Sequence, residues 1–310
     1  MSKGTGVVKS SALGKRFRRY LPIYFLMIPV MLWFFIFKLG PIYGLQIAFK
    51  DYNIMKGIWD SPWNNFKHFK KLFTNHYFPR VLGNTIKISF LRLITSIPSA
   101  VIFALLLNEV RSMLFKRTVQ TISYLPYFIS WVVAGGIFTL MLSPQYGAIN
   151  SIIKFFGGEP IYFLGDPKYF VGTIIVTGIW KGLGWNSIIY IAALSSVDQE
   201  LYEAAHIDGA NRFHRMIYIS LPSLAPTIVM LTTLGLAGIL SGGFDQIYNM
   251  YNSAVYEVGD IIDTYVFRQG FERGEYAFNT AVGLFKSVVA FILVMSANFF
   301  SRRVVKYSMW

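Results

Sequence analysis

Six long apolar runs, separated by polar or glycine-bearing segments, set the rhythm of this chain: residues 21–39, 85–107, 123–142, 170–194, 217–240 and 281–300. Each is long enough to cross a hydrocarbon core of ~30 Å as a helix. Backbone groups in lipid must find their hydrogen bonds within the segment, so continuous apolar runs of this length predict helices. The predicted fold class is therefore all-α, a membrane protein with six transmembrane helices. The first run follows the basic KRFRRY, but it lacks a small-residue cleavage site and is expected to be retained. Between the second and third runs, LNEVRSMLFKRTVQ puts basic residues on one side and apolar residues on the other, which predicts an interfacial helix.

Composition agrees with the pattern. Of 310 residues, 54% are hydrophobic and 14% charged, against about 25% charged in soluble domains. Lysine and arginine are denser in 1–20, 108–118, 195–216 and 301–310 than in the alternate connections, which predicts that both termini are cytoplasmic. One outer stretch, NNFKHFKKLF, runs against this bias. The net charge of +14 thus records topology, and no nucleic-acid partner is expected. Lys87 and Lys286 fall near the outer ends of their spans and are expected to snorkel to water. The outer connections are rich in Tyr, Trp, Phe and Asn, suited to packing an external cap and to meeting a binding protein.

Several chemistries are missing. The six runs contain no Asp or Glu, whereas ion-coupled carriers need an ionisable or liganding carboxylate in the bilayer. The phosphate-cradling G-x-x-x-x-G-K-S/T loop is absent, so any ATP must be bound by another polypeptide. With no cysteine and four scattered histidines, neither a thiolate site nor a metal cluster is expected, and no catalytic residue is assigned.

The fourth and fifth runs are joined by LYEAAHIDGA, then ISLP. Asp198 or Ser196 can cap a helix here, Glu200 and Glu203 complement its dipole, and the alanines favour it. Gly209 permits a positive φ, so a second short helix over 211–219 can leave at an angle. Leu221-Pro222 is expected to end that helix and steer the chain into the bilayer. Ala204 and Ala205 would let a partner surface approach closely, and Glu203 would offer it one charge.

This stretch resembles the EAA loop of ABC-importer permeases, read here as Glu203-Ala204-Ala205, Gly209, Ile219 and Leu221-Pro222, with Asp208 and Ala210 beside the glycine also typical. Its wording is similar to the carbohydrate-uptake branch of type I importers. GGFDQIYNMYN resembles the F-D-x-I-Y stretch after the fifth span of sugar permeases, with Tyr251-Asn252-Ser253 in place of the usual T-x-G-G-P ending. The resemblance covers about residues 20 to 305. It implies a type I permease fold, multi-pass in a bacterial plasma (inner) membrane: a basic cytoplasmic tail 1–20, a transmembrane domain 21–300 with an EAA coupling loop 198–222, and a cytoplasmic tail 301–310. The implied partners are a second, homologous permease subunit, two ATP-binding subunits and an extracellular or periplasmic solute-binding protein, in contact with membrane lipid. Glu203, Ala204, Ala205, Asp208, Gly209, Leu221 and Pro222 would couple the chain to the ATP-binding subunits. No cofactor is expected on this chain, which would not be an enzyme; ATP and Mg, and the ATPase activity, would belong to those partners.

Two cations inside the runs need a reason. Lys181 falls near the middle of TIIVTGIWKGLGWNSIIYIAAL and Arg92 about a third of the way into the second run. A mid-bilayer cation costs about 2.5–3.5 kcal/mol on insertion scales, so each should face a wet cavity or a partner. Gly178, Lys181, Gly182 and Trp185 share a helix face, which joins room, a cation and an aromatic plane. The family resemblance points at Lys181 and Trp185, and after the fifth run at Phe244, Asp245 and Gln246, as substrate-binding residues, with Arg92 added. A lysine there would offset its desolvation against a carboxylate, so the expected cargo is an oligosaccharide, acidic and uronate-containing, with Trp185 stacking on a ring and Gln246 bonding hydroxyls. Lys181 could equally neutralise carbonyls or a partner's carboxylate, and Gly178 and Gly182 could form a small-residue helix contact. A permease for another small solute, such as glycerol phosphate or amino acids, and a secondary carrier or channel also stay open.

Overall fold

A computed structural model describes residues 9–304, so the outermost parts of both basic tails, 1–8 and 305–310, lie outside the described residues. The described chain is all-helical apart from two isolated bridges in the loop over 50–63. Helix α1 (Lys9–Phe34) runs through a wide π turn (Phe35–Leu39) into a 3-10 segment (Gly40–Phe49). The short helix α2 (Lys67–Thr74) precedes the long α3 (Phe78–Asn108). Next come α4 (Met113–Phe128), α5 (Trp131–Met141), α6 (Ala148–Phe155) and the long α7 (Pro167–Ser195). A hairpin of α8 (Gln199–Ile207) and α9 (Arg212–Arg215) leads through a second π turn (Met216–Ser220) into α10 (Leu221–Ala237). Short helices α11 (Phe244–Met250), α12 (Tyr256–Gly259) and α13 (Ile262–Phe267) precede the long α14 (Tyr276–Val304).

Among the described residues, five helical segments are long and apolar enough to cross a membrane: 19–49, 78–108, 167–195, 212–236 and 276–296. The sixth expected span, 123–142, is not a straight helix. It is the broken pair α4 and α5, bent by 102°. Pro126 lies in the last turn of α4, and Ser130 then starts a new helix by accepting Val133 N–H at 3.3 Å. Of the stretch 107–120, where an interfacial helix is expected, Met113 to Gln120 forms the first turns of α4, with Ser112 as its cap.

Of the three π turns among the described residues, the third being Arg268–Glu272, the first two share one local cause. Gly40 N–H closes the first on Phe35 O and Pro41 follows; Leu221 N–H closes the second on Met216 O and Pro222 follows. A proline in a continuing helix loses a donor and crowds the carbonyl one turn back, and widening the preceding turn relieves the crowding. Leu221-Pro222 therefore does not end a helix as expected: 212–236 runs through it as one span.

Three apolar clusters hold the bundle around the α3–α7 pair. One joins Ile88, Phe170, Ile174, Ile247 and Ile261; a second, toward the start of α3, joins Leu72, Phe78, Tyr265 and Phe278; a third, toward the end of α3, joins Ala100, Ala104, Tyr190, Leu194 and Leu224. Gly184 lets α7 meet α4 closely, because a Cβ there would fall on the Ser123 carbonyl. The α12–α13 region is tied to α3 by Ile262 N–H donating to Thr85 Oγ1 (2.9 Å) and Asn84 Nδ2 donating to Asp260 O (3.1 Å). Asp260, 1% exposed, receives both ends of the Arg268 guanidinium at 2.5 and 3.0 Å. Lys286 pairs with Asp263 across the α13–α14 contact. From residue 19 to 43 every residue of the first span is exposed, and the segment meets the rest of the chain through Gly40–Phe49, which packs on α14 and buries Ala48.

Candidate functional site

Lys181 sits on α7 opposite the break between α4 and α5. Helix α4 ends in carbonyls that lack helical partners, and the Lys181 ammonium donates to one of them, Tyr127 O, at 2.7 Å. The same Nζ lies 5.2 Å from the Tyr127 ring centroid and 5.5 Å from that of Trp131. Lys181 is 8% exposed and has no carboxylate partner among the described residues.

Arg92 approaches from α3. Its Nη2 donates to Gln246 Oε1 at 2.5 Å, and its Nε is buried with no acceptor. Gln246, at 2% exposure, spends its amide group on α7, donating to Ile174 O (2.7 Å) and Thr177 Oγ1 (2.8 Å). Gly243, at φ +81°, leaves the space that the guanidinium occupies; a Cβ there would fall on Arg92 Nη1.

These groups line one cavity of about 250 Å³, whose wall includes Arg92, Thr95, Ser96, Tyr127, Trp131, Gly178, Lys181, Gly182, Asn186 and Gln246. Two cations and no acidic side chain face it. A second cavity of about 400 Å³ adjoins it further along α3 and α7, shares Ser96 and Asn186, and is otherwise mostly apolar.

Of the residues singled out from sequence, Arg92, Lys181 and Gln246 come together on this cavity. Trp185 lies one turn beyond Lys181, on the wall of the second cavity, with its ring stacked on Tyr127 (4.4 Å, 2°) and edge-on to Phe128 (5.8 Å). Phe244 stacks on Tyr248 (5.2 Å) and leans on Phe267 (5.4 Å); Asp245 is exposed. Neither Phe244 nor Asp245 lines the cavity. Gly178 faces α11, where a Cβ would meet the Gln246 amide, whereas at Gly182 a Cβ would meet only Asn186 of the same helix, so the two glycines do not share one helix contact. Sequence reasoning missed Tyr127 and Trp131. The signal was there: Pro126 and Ser130, a breaker and a cap, sit inside an otherwise continuous apolar run.

The second candidate site is the hairpin. Asp198 caps α8 by accepting Glu200 N–H at 3.0 Å. After α8, Gly209 adopts φ +78°, its N–H donates to His206 O (3.1 Å) and Ala210 N–H to Ala205 O (2.9 Å), the paired bonds of a Schellman turn. Asn211 then caps α9 by accepting His214 N–H at 2.9 Å. Tyr202 and Ser220 are linked hydroxyl to hydroxyl at 2.9 Å, which pins α8 to the start of the span. Glu203, Ala204, Asp208 and Gly209 are exposed, Ala205 is partly covered, and Leu221 and Pro222 are exposed one turn further on. Around them Leu201, Ile207, Phe213 and Tyr218 are also exposed, an apolar surface with nothing packed on it among the described residues.

A broken span, a charged cavity at the break and a protruding helical hairpin define a transport protein. The chain belongs to the family of binding-protein-dependent transport system inner membrane components, whose model matches residues 96–307. It is 44% identical over 303 residues to protein LplB of Bacillus subtilis, with 98% of this chain and 94% of the relative covered. It is 43% identical over 276 residues to the polygalacturonan/rhamnogalacturonan transport system permease protein YteP of the same organism, covering 89% and 86%. Among solved structures it matches a chain of a bacterial ABC transporter involved in the import of the acidic polysaccharide alginate, with a TM-score of 0.87, 39% identity, and 94% and 99% covered. A second match, with the same TM-score and identity, is to that kind of transporter in complex with an alginate pentasaccharide-bound periplasmic protein.

Proposed function

We propose that this chain is the permease subunit of an ATP-binding-cassette importer that moves an acidic oligosaccharide inward through the bacterial plasma membrane. One observation carries the reading: Lys181 and Arg92 face a cavity between membrane-spanning helices with no acidic side chain on its wall. Holding two such charges in the bilayer is costly unless something negative visits them. The printed functions of the relatives, transport of polygalacturonan or rhamnogalacturonan and import of alginate, support a carboxylate-bearing cargo. Tyr127, Trp131 and Trp185 supply the aromatic faces on which sugar rings stack.

In this reading both termini are cytoplasmic and the hairpin within 198–222 is the coupling element. Exposed Glu203, Ala204, Asp208 and Gly209, with Leu201 and Ile207 beside them, dock on an ATP-binding subunit. ATP and Mg are held by two such subunits, which carry the ATPase activity. A second, homologous permease subunit and a solute-binding protein on the outer face complete the assembly.

The test is uptake into vesicles by the complete importer. ATP-dependent uptake of a uronic-acid oligomer that ignores a proton gradient is the expected result. Lys181→Gln, which keeps a donor for Tyr127 O and removes the charge, is expected to lose acidic cargo selectively over its carboxyl-reduced counterpart. Uptake driven by the proton gradient, or of glycerol phosphate or amino acids in place of sugars, would overturn the reading.

A further inference from the structure

Gln246 has no amide donor left for a sugar oxygen. Both donors of its amide are committed to Ile174 O and Thr177 Oγ1 on α7, so its carbonyl is forced to face α3, where it receives Arg92 Nη2. Gly243 keeps the space beside it clear for the guanidinium. The result is an arginine aimed at a cavity by a neutral acceptor. One of its donors is used there, and its buried Nε has no acceptor. Had a carboxylate stood at 246, the charge would be cancelled inside the protein; an amide fixes the direction of Arg92 and leaves its charge for something else. Lys181 differs, being held by a backbone carbonyl at the helix break on another face of the same cavity.

We propose that Arg92 forms a second carboxylate subsite, separate from that of Lys181, and that Gln246 is the positioning residue that aims it, so that the cavity selects cargo carrying at least two carboxylates. This rests on the acidic-oligosaccharide reading above and narrows it from an acidic sugar to a polyanionic oligomer.

A comparison of two cargoes on the complete importer in vesicles tests it. The cargoes are digalacturonate and its monomethyl ester, each delivered at a saturating level of loaded binding protein, with initial uptake rates taken per assembled importer. Loss of one charge-assisted contact is expected to cost the wild type about 30-fold in rate. In Arg92→Gln the diacid is expected to fall to the rate of the monoester, so that the preference collapses to near unity. Gln246→Glu, similar in shape but able to neutralise Arg92, is expected to do the same. Arg92→Lys is expected to keep a preference of several-fold. A preference that survives in Arg92→Gln and Gln246→Glu overturns the proposal, as does an equal loss of both cargoes, the mark of a packing role. Should the wild type take up neither acid with ATP, the acidic-cargo reading itself has failed and this inference falls with it.

Discussion

Gly209 offers a graded test of the hairpin, because its cost on substitution comes from backbone conformation alone. The residue sits at φ +78°, and nothing lies within 4 Å of where a Cβ would be. An alanine there meets no clash and carries only the left-handed penalty, about 1–2 kcal/mol. That shifts the population of the formed turn by a factor of about 5–30. Asparagine, which tolerates this region better, is expected to cost less. Proline is different in kind. Its φ is fixed near −65°, and it removes the N–H that donates to His206 O. The assay is the ratio of cargo taken up to ATP hydrolysed by the reconstituted importer, with membrane abundance measured alongside. The expected order of coupling is glycine, asparagine, alanine, proline, with proline near zero while the protein remains in the membrane. Wild-type coupling in Gly209→Pro would refute the reasoning, and so would equal coupling losses in all three variants.

Gly184→Val is expected to destabilise the α4–α7 contact by about 1–3 kcal/mol or more, because its Cβ falls on the Ser123 carbonyl. Gly172→Ala on the same helix meets nothing within 4 Å and is expected to be neutral or slightly stabilising; thermal unfolding of the purified complex checks both. Asp260→Ala strands the Arg268 guanidinium and is expected to cost about 3 kcal/mol in the same measurement. Burial pushes the Tyr251 phenol up from 10.0 to about 12 despite the opposing pull of Arg268. Its raised folded-state pKa means that the unfolded chain releases this proton first, so its contribution to stability is present below pH 10 and is lost between pH 10 and about 12. Tyr251→Phe is expected to flatten the fall in stability over that window, read as the difference between the two melting profiles.

Hydropathy alone located the straight spans, because continuous apolar runs have few alternatives in lipid. It misread residues 123–142 because a window averages over composition and is blind to Pro126 and Ser130, the pair that breaks the run and restarts it. Leu221-Pro222 misled in the opposite direction: a proline was expected to stop a helix, and a widened turn absorbed it. Arg92 and Lys181 stood out as cations in apolar runs, which needs no tertiary knowledge. That Trp185 would turn to Tyr127, and that Gln246 would have every polar atom engaged, depended on which helix lay opposite. Spacing along one helix fixes a face but not its neighbour. The partner of Lys286 was illegible for the same reason, since Asp263 belongs to a different helix.

The bond from Lys181 to Tyr127 O constrains how this cavity could be retuned. The lysine brings charge to the cavity and also closes an otherwise open carbonyl at the helix break. A descendant adapted to uncharged sugars could not discard the side chain for an alkyl group without leaving that carbonyl unmet in a nearly dry setting. It would need a neutral donor of similar reach, such as glutamine. The number of single substitutions that change cargo charge yet preserve the kink is therefore small, and a change of diet at this position is channelled through the amides.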